Sequence, residues 1–141
     1  MKKELTKQEK VNMDIKDIAK AIRKDLKKEF GNDIKFSVKI SRFSGGQSLS
    51  VNIKQCSEKF FRSEADFEKE YMEEKLTMPS VYENIKKRFE RRDGFAVKKE
   101  VRQKVDDIVN FYNYDESEPM YDYFNVNFYY SGVDGNNIEV I

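Results

Sequence analysis

The chain has 141 residues, 38% of them hydrophobic and 38% charged, with a formal net charge of +1, which suits one modest core inside a charge-rich surface. It holds one cysteine, Cys56, and no histidine. That excludes an intrachain disulfide framework, a multi-cysteine zinc site and the Ser–His and Cys–His nucleophile pairs, while a Mg²⁺ or Ca²⁺ site made only of carboxylates survives.

The opening MKKELTKQEK places no apolar run behind its charges, and no stretch approaches the roughly 20 apolar residues of a membrane span. The expected setting is cytoplasmic, with no membrane partner. Residues 1–11 are polar and Lys-rich, a frayed start to a single domain over 1–141. Next, Ile15, Ile18, Ala19, Ile22, Leu26 and Phe30 recur at spacings of three and four, the apolar stripe of a helix. Asn12 or Asp14 caps its start and Gly31 stops it. Lys16, Lys20, Arg23, Lys24, Lys27 and Lys28 occupy the other face.

Ile34, Phe36, Val38 and Ile40 then alternate with polar residues, as do Leu49, Val51 and Ile53, around the SGG turn signal at 44–46. This predicts a β-hairpin with a fairly long connection. The middle of the chain is charged and helical. Ser63 with Asp66, and Ser80 with Glu83 behind Pro79, read as helix starts. Val81, Tyr82, Ile85 and Phe89 form the buried face of the second of these helices, and Gly94 ends it. Val97, Val101, Val105, Ile108, Val109 and Tyr112 make a third stripe. After the loop 113–119, YFNVNFYY alternates as a late strand, with Phe124 and Phe128 facing the core, and IEVI closes the chain as a short fourth strand. The expected fold class is α+β: an antiparallel sheet of three to four strands, the N-terminal hairpin plus the late C-terminal strand, with helices packed on one face.

Two segments resemble one known family. IAKAIRKDLKKEFGNDIKFSVKISRFSGGQSLSVNI (18–53) and NYDESEPMYDYFNVNFY (113–129) are similar to the twenty-ninth of the large polyvalent protein-associated domains. The shared pattern is an Arg-Lys amphipathic helix, FSVK, then S-R-F-S-G-G before a second strand. The resemblance implies a protein of a phage, plasmid or other mobile genetic element, with no catalytic residues to carry over. It also implies a counter-defence role of the anti-CRISPR or anti-restriction type as one use of a stand-alone copy.

Charge is unevenly distributed. Sixteen Lys/Arg stand against eight Asp/Glu up to Arg62, and eleven against eighteen from Ser63 onward. The basic head supplies a nucleic-acid-binding candidate set: Lys20, Arg23, Lys24, Lys27, Lys35, Lys39 and Arg42, since Lys and Arg at this density contact phosphates. A second basic cluster, KKRFERR, spans 86–92. The acidic tail supplies a partner-binding set: Tyr114, Asp115, Glu116, Glu118, Tyr121, Asp122 and Tyr123, combining carboxylates with a residue favoured at interfaces. Tyr123 and Tyr129 face away from the core side of the late strand. Stacking on bases is one use of them, but packing beneath a helix or protein contact is preferred because the surrounding charge is negative. Cys56 reads as an ordinary buried thiol.

A P-loop, a Rossmann fingerprint and a nucleophile elbow are all absent. The expectation is a non-enzymatic binding protein, with no cofactor and no metal, that docks on a host defence protein or nucleoprotein. The alternative is a nucleic-acid-binding accessory domain using the first helix and hairpin. A carboxylate–metal phosphodiesterase built on the acidic loop is the third reading.

Overall fold

The N-terminus is more ordered than its composition predicts. In the computed structural model, which describes residues 4–114 and 126–141, a short helix α1 (Lys7–Asn12) replaces the frayed start. Thr6 and Glu9 form a reciprocal capping box, the Thr6 hydroxyl accepting from the Glu9 N–H at 3.1 Å. Its T-K-Q-E signature stands in the sequence.

Helix α2 (Ile15–Phe30) buries the predicted stripe of Ile15, Ile18, Ala19, Ile22, Leu26 and Phe30. Asp14 is the cap, accepting from the Lys16 N–H at 2.8 Å, and Gly31 turns the chain at φ 57°. Strands β1 (Ile34–Phe43) and β2 (Gly46–Cys56) pair antiparallel. Phe43 pairs with Gly46, so the connection is a tight turn at Ser44–Gly45 rather than a long one. Ile34, Val38, Leu49, Val51, Ile53 and Cys56 turn inward beneath α2.

Three helices follow: α3 (Glu64–Glu70), α4 (Met72–Thr77) and α5 (Pro79–Glu90). Ser63 caps α3 through the Asp66 N–H. Ser80 is not a cap, because Pro79 already occupies the first helical turn, where its missing N–H is no loss. Phe67, Tyr71, Tyr82 and Phe89 form an aromatic cluster of their own, with Phe67 and Phe89 stacked at 4.3 Å. Val81, expected inside, is exposed. Helix α5 ends before Gly94: Arg92 takes the left-handed position at φ 60°, with Asp93 N–H donating to the Arg88 carbonyl and Arg92 N–H to that of Phe89.

Helix α6 (Lys99–Asn110) lays Val101, Val105 and Val109 against the same core, beside α2. From residue 126 the chain runs along β2 in parallel. It touches β2 at single bridges, Tyr129 beside Ser48 and Asp134 beside Asn52, before β3 (Glu139–Val140) pairs with Gln55 and Cys56. The expected late strand over 123–130 is therefore interrupted. Its residues up to 125 lie outside the described ones, Phe124 among them, while Phe128 and Ile138 fill the core. The architecture is α+β with a mostly antiparallel sheet in the order β1-β2-β3 and helices on one face. Among the described residues no helix is long and apolar enough to cross a membrane.

Candidate nucleic-acid interface

The basic residues of α2 and β1 meet along one edge of the sheet. At 100° per residue, Lys16, Lys20, Arg23, Lys24 and Lys27 fall on one flank of α2. That flank overhangs β1, because Arg23 Nη2 donates to the Val38 carbonyl at 2.7 Å. Arg23, Lys27 and Lys35 line one groove with Leu26, Ile34 and Phe36. The opposite flank carries Asp25 and Glu29, and these carboxylates serve packing: the Tyr112 hydroxyl donates to Asp25, and Lys104 pairs with Glu29 at 3.6 Å.

The register shows why β1 is the open side. Residues 47, 49, 51 and 53 of β2 exchange backbone hydrogen bonds with 129 and 134. Residues 48, 50 and 52 then face β1, paired with Ser41, Lys39 and Ser37. Phe36, Val38 and Ile40 consequently turn their backbone groups outward, and Arg23 satisfies one of them. Lys35 and Lys39 project from the sheet face opposite the helices, where the cross-strand partners are Gln55 and Ser50. Both are exposed. The predicted cations thus wrap the edge of β1 from two sides.

Two of the seven have local structural duties. Arg23 caps the strand edge, as above. Arg42 pairs with Asp14 at 2.8 Å, joining the end of β1 to the start of α2. The Asp14 carboxyl is held below its ordinary range, first by the Lys16 N–H it accepts and then by the Arg42 charge, against a desolvation effect. Lys16, Lys20, Lys24, Lys27, Lys35 and Lys39 form no ion pair among the described residues. The second basic cluster behaves differently. Arg88 and Arg91 converge on the buried Asp93, and Arg92 lies over the Phe61 ring at 5.9 Å.

Of the partner-binding set, Asp115, Glu116, Glu118, Tyr121, Asp122 and Tyr123 lie outside the described residues. Tyr114 is half-buried, with the Lys7 ammonium 5.0 Å from its ring centre. Cys56 is fully buried, and burial pushes its thiol up to about 11, so at neutral pH it holds its proton. Two aromatic residues that the candidate sets omit stand on the open sheet face, Phe43 and Tyr129, with ring centres 5.9 Å apart. The outward phase of Phe43, one period beyond Ser41, was the signal for it.

Residues 13–140 match the family described as large polyvalent protein associated domain 29. No curated protein and no solved structure matches the chain.

Proposed function

We propose a binding function on this premise: the chain belongs to the large polyvalent protein associated domain 29 family, which is associated with polyvalent proteins of mobile elements. Within that setting it acts as a nucleic-acid-binding module, without catalysis. One observation carries the reading, the segregation of charge on α2. Exposed lysines serve solubility on most helices, but there acids and bases usually alternate. Here Lys16, Lys20, Arg23, Lys24 and Lys27 gather on the flank over the open strand, and Asp25 and Glu29 on the flank spent on Tyr112 and Lys104, with Asp17 and Lys28 on the solvent side between them. Such a one-sided row suits a polyanion such as a nucleic acid, whose phosphates lysines neutralise by displacing condensed counterions.

Docking on a host protein through the acidic, Tyr-rich segment draws no support from geometry. Six of its seven residues lie outside the described ones. Counter-defence of the anti-CRISPR or anti-restriction type follows from the present reading where the bound nucleic acid belongs to a host nucleoprotein. The lack of histidine and the protonated, buried Cys56 remove the usual imidazole and thiolate nucleophile chemistries.

The test is a gel-shift titration with Lys20→Glu/Lys24→Glu/Lys27→Glu beside the unmodified chain. Retardation at about 100 mM salt, weakened on the order of a hundredfold in the variant, is the expected result. Equal binding by both proteins, or a lysate partner recovered undiminished after nuclease treatment with no shift at all, contradicts it.

A further inference from the structure

We propose that Phe43 and Tyr129 form a stacking platform for unpaired bases, so that the ligand class is single-stranded rather than duplex nucleic acid. This rests on the nucleic-acid reading above and narrows it. Phe43 is 49% exposed and Tyr129 38%, on a sheet face that the helices of the core leave open. The two rings lie side by side across the strands, tilted 30° to one another. Gly46 makes the arrangement possible: a Cβ there would lie 3.2 Å from the Tyr129 ring, on the side where Phe43 also approaches. Residue 46 is therefore bare backbone beside the two rings at the turn end of the hairpin.

The rest of that face is polar and built for a backbone rather than a core. Behind the rings come Ser41 with Ser48, Lys39 with Ser50, Ser37 with Asn52, and Lys35 with Gln55. The hydroxyls and amides are hydrogen-bonding groups without a charge preference, and the two lysines supply phosphate contacts. The β3 side carries Asp134 and Glu139 on the same face, as their bridges to Asn52 and Gln55 require. Those carboxylates repel phosphate, and Gln55 already donates to Glu139 at 2.8 Å. The permitted track therefore follows β1, from the rings past Lys39 to Lys35, beside the edge that the α2 lysines overhang. Bases stack best on such rings when they are already unpaired, and every base has a face to offer, so the platform selects strandedness and not sequence. A duplex keeps its bases inside and meets only the lysines.

The experiment uses fluorescence anisotropy of a labelled oligothymidylate of about 12 nucleotides, within the site size of one sheet platform, and of a duplex of equal length. The proteins are the unmodified chain, Phe43→Leu/Tyr129→Leu, and Lys20→Glu/Lys24→Glu/Lys27→Glu. Leucine keeps the apolar bulk and removes the π face, and a thermal melt of each variant verifies that it folds. The expected result is single-strand affinity lowered about tenfold to a hundredfold by the leucine pair with duplex affinity unchanged, and both affinities lost in the charge variant. If the leucine pair binds the oligothymidylate as tightly as the unmodified chain does, the platform is overturned while the basic-face reading stands. If neither nucleic acid binds the unmodified chain, both readings fall together.

Discussion

Asp93 shows how much one buried carboxylate can organise. Its side chain is 1% exposed and accepts from Arg91 at 2.6 Å, from Arg88 at 3.4 Å and from the Asn137 N–H at 3.3 Å. It thus ties the end of α5 to the C-terminal run. The Arg91 guanidinium, first among these, holds its carboxyl below the ordinary carboxylate range against the effect of burial. A carboxyl lowered in the folded state contributes stability that is complete above the unfolded value near 3.9. That contribution drains away as pH falls through the folded value. Asp93→Asn is expected to lower unfolding free energy by about 2 kcal/mol at pH 7, the scale of lost hydrogen bonds to a charged group. In urea titrations that difference shrinks as pH falls below about 4; a difference that stays constant as the pH falls would assign it to packing instead. Cys56 gives a second residue-scale expectation. Its thiol, raised to about 11 by burial and then by Asp33, resists alkylation at pH 8 in the folded chain and reacts once guanidinium unfolds it. Rapid native labelling would contradict its burial.

Elements formed by a strong local period were legible in the sequence. The stripe from Ile15 to Phe30 and the Val101–Val109 row predicted α2 and α6, because burial of one face decides both. The alternation from Ile34 to Ile53 predicted the hairpin for the same reason. What escaped depended on partners distant in the chain. The late strand is broken because its backbone is shared between β2 and the α5–α6 connection: Asp134 bonds Val51 and Ile53, while the Gly135 carbonyl accepts from Gly94. No window of alternation contains that competition. Gly94 misled the reading for the same reason. It is glycine for space rather than for a helix stop, since a Cβ there would lie 2.6 Å from Asp134 Oδ1 and 2.9 Å from its Cα. Gly94→Ala is therefore expected to destabilise by about 1–3 kcal/mol, the cost of overpacking against backbone. A thermal melt checks it, and a neutral result would mean the C-terminal run yields easily. Of the candidate site, the residue types were legible and their sides were not. Helical phase alone put Lys16 through Lys28 on one exposed face, and only the Arg23–Val38 bond shows which flank meets β1.

At the scale of the whole molecule, charge is sorted along the chain and, among the described residues, around α2 and β1. The sequence already divides into a basic head and an acidic tail, and folding could have laid one upon the other. Among the ion pairs between described residues, Arg62 with Glu70 is the one that joins a base of the head to an acid of the tail. Among the described residues the lysines around β1 form no ion pair, although net charge is only +1, so a polyanion meets a local field that the total conceals. The two lysines of the strand, the row on α2 and Phe43 all belong to or border β1, and Tyr129 meets Phe43 from the far side of β2. Nothing in the aromatic α3–α5 cluster contributes to that face, which gives those helices a structural part in this account. The most direct check is the salt dependence of oligothymidylate binding by the unmodified chain. Log K is expected to fall linearly with log salt, with a slope of about −3 to −5, as about five to seven phosphate contacts on a single strand require. A slope near zero, with binding intact, would contradict it, because the lysines around β1 would then not be touching phosphate.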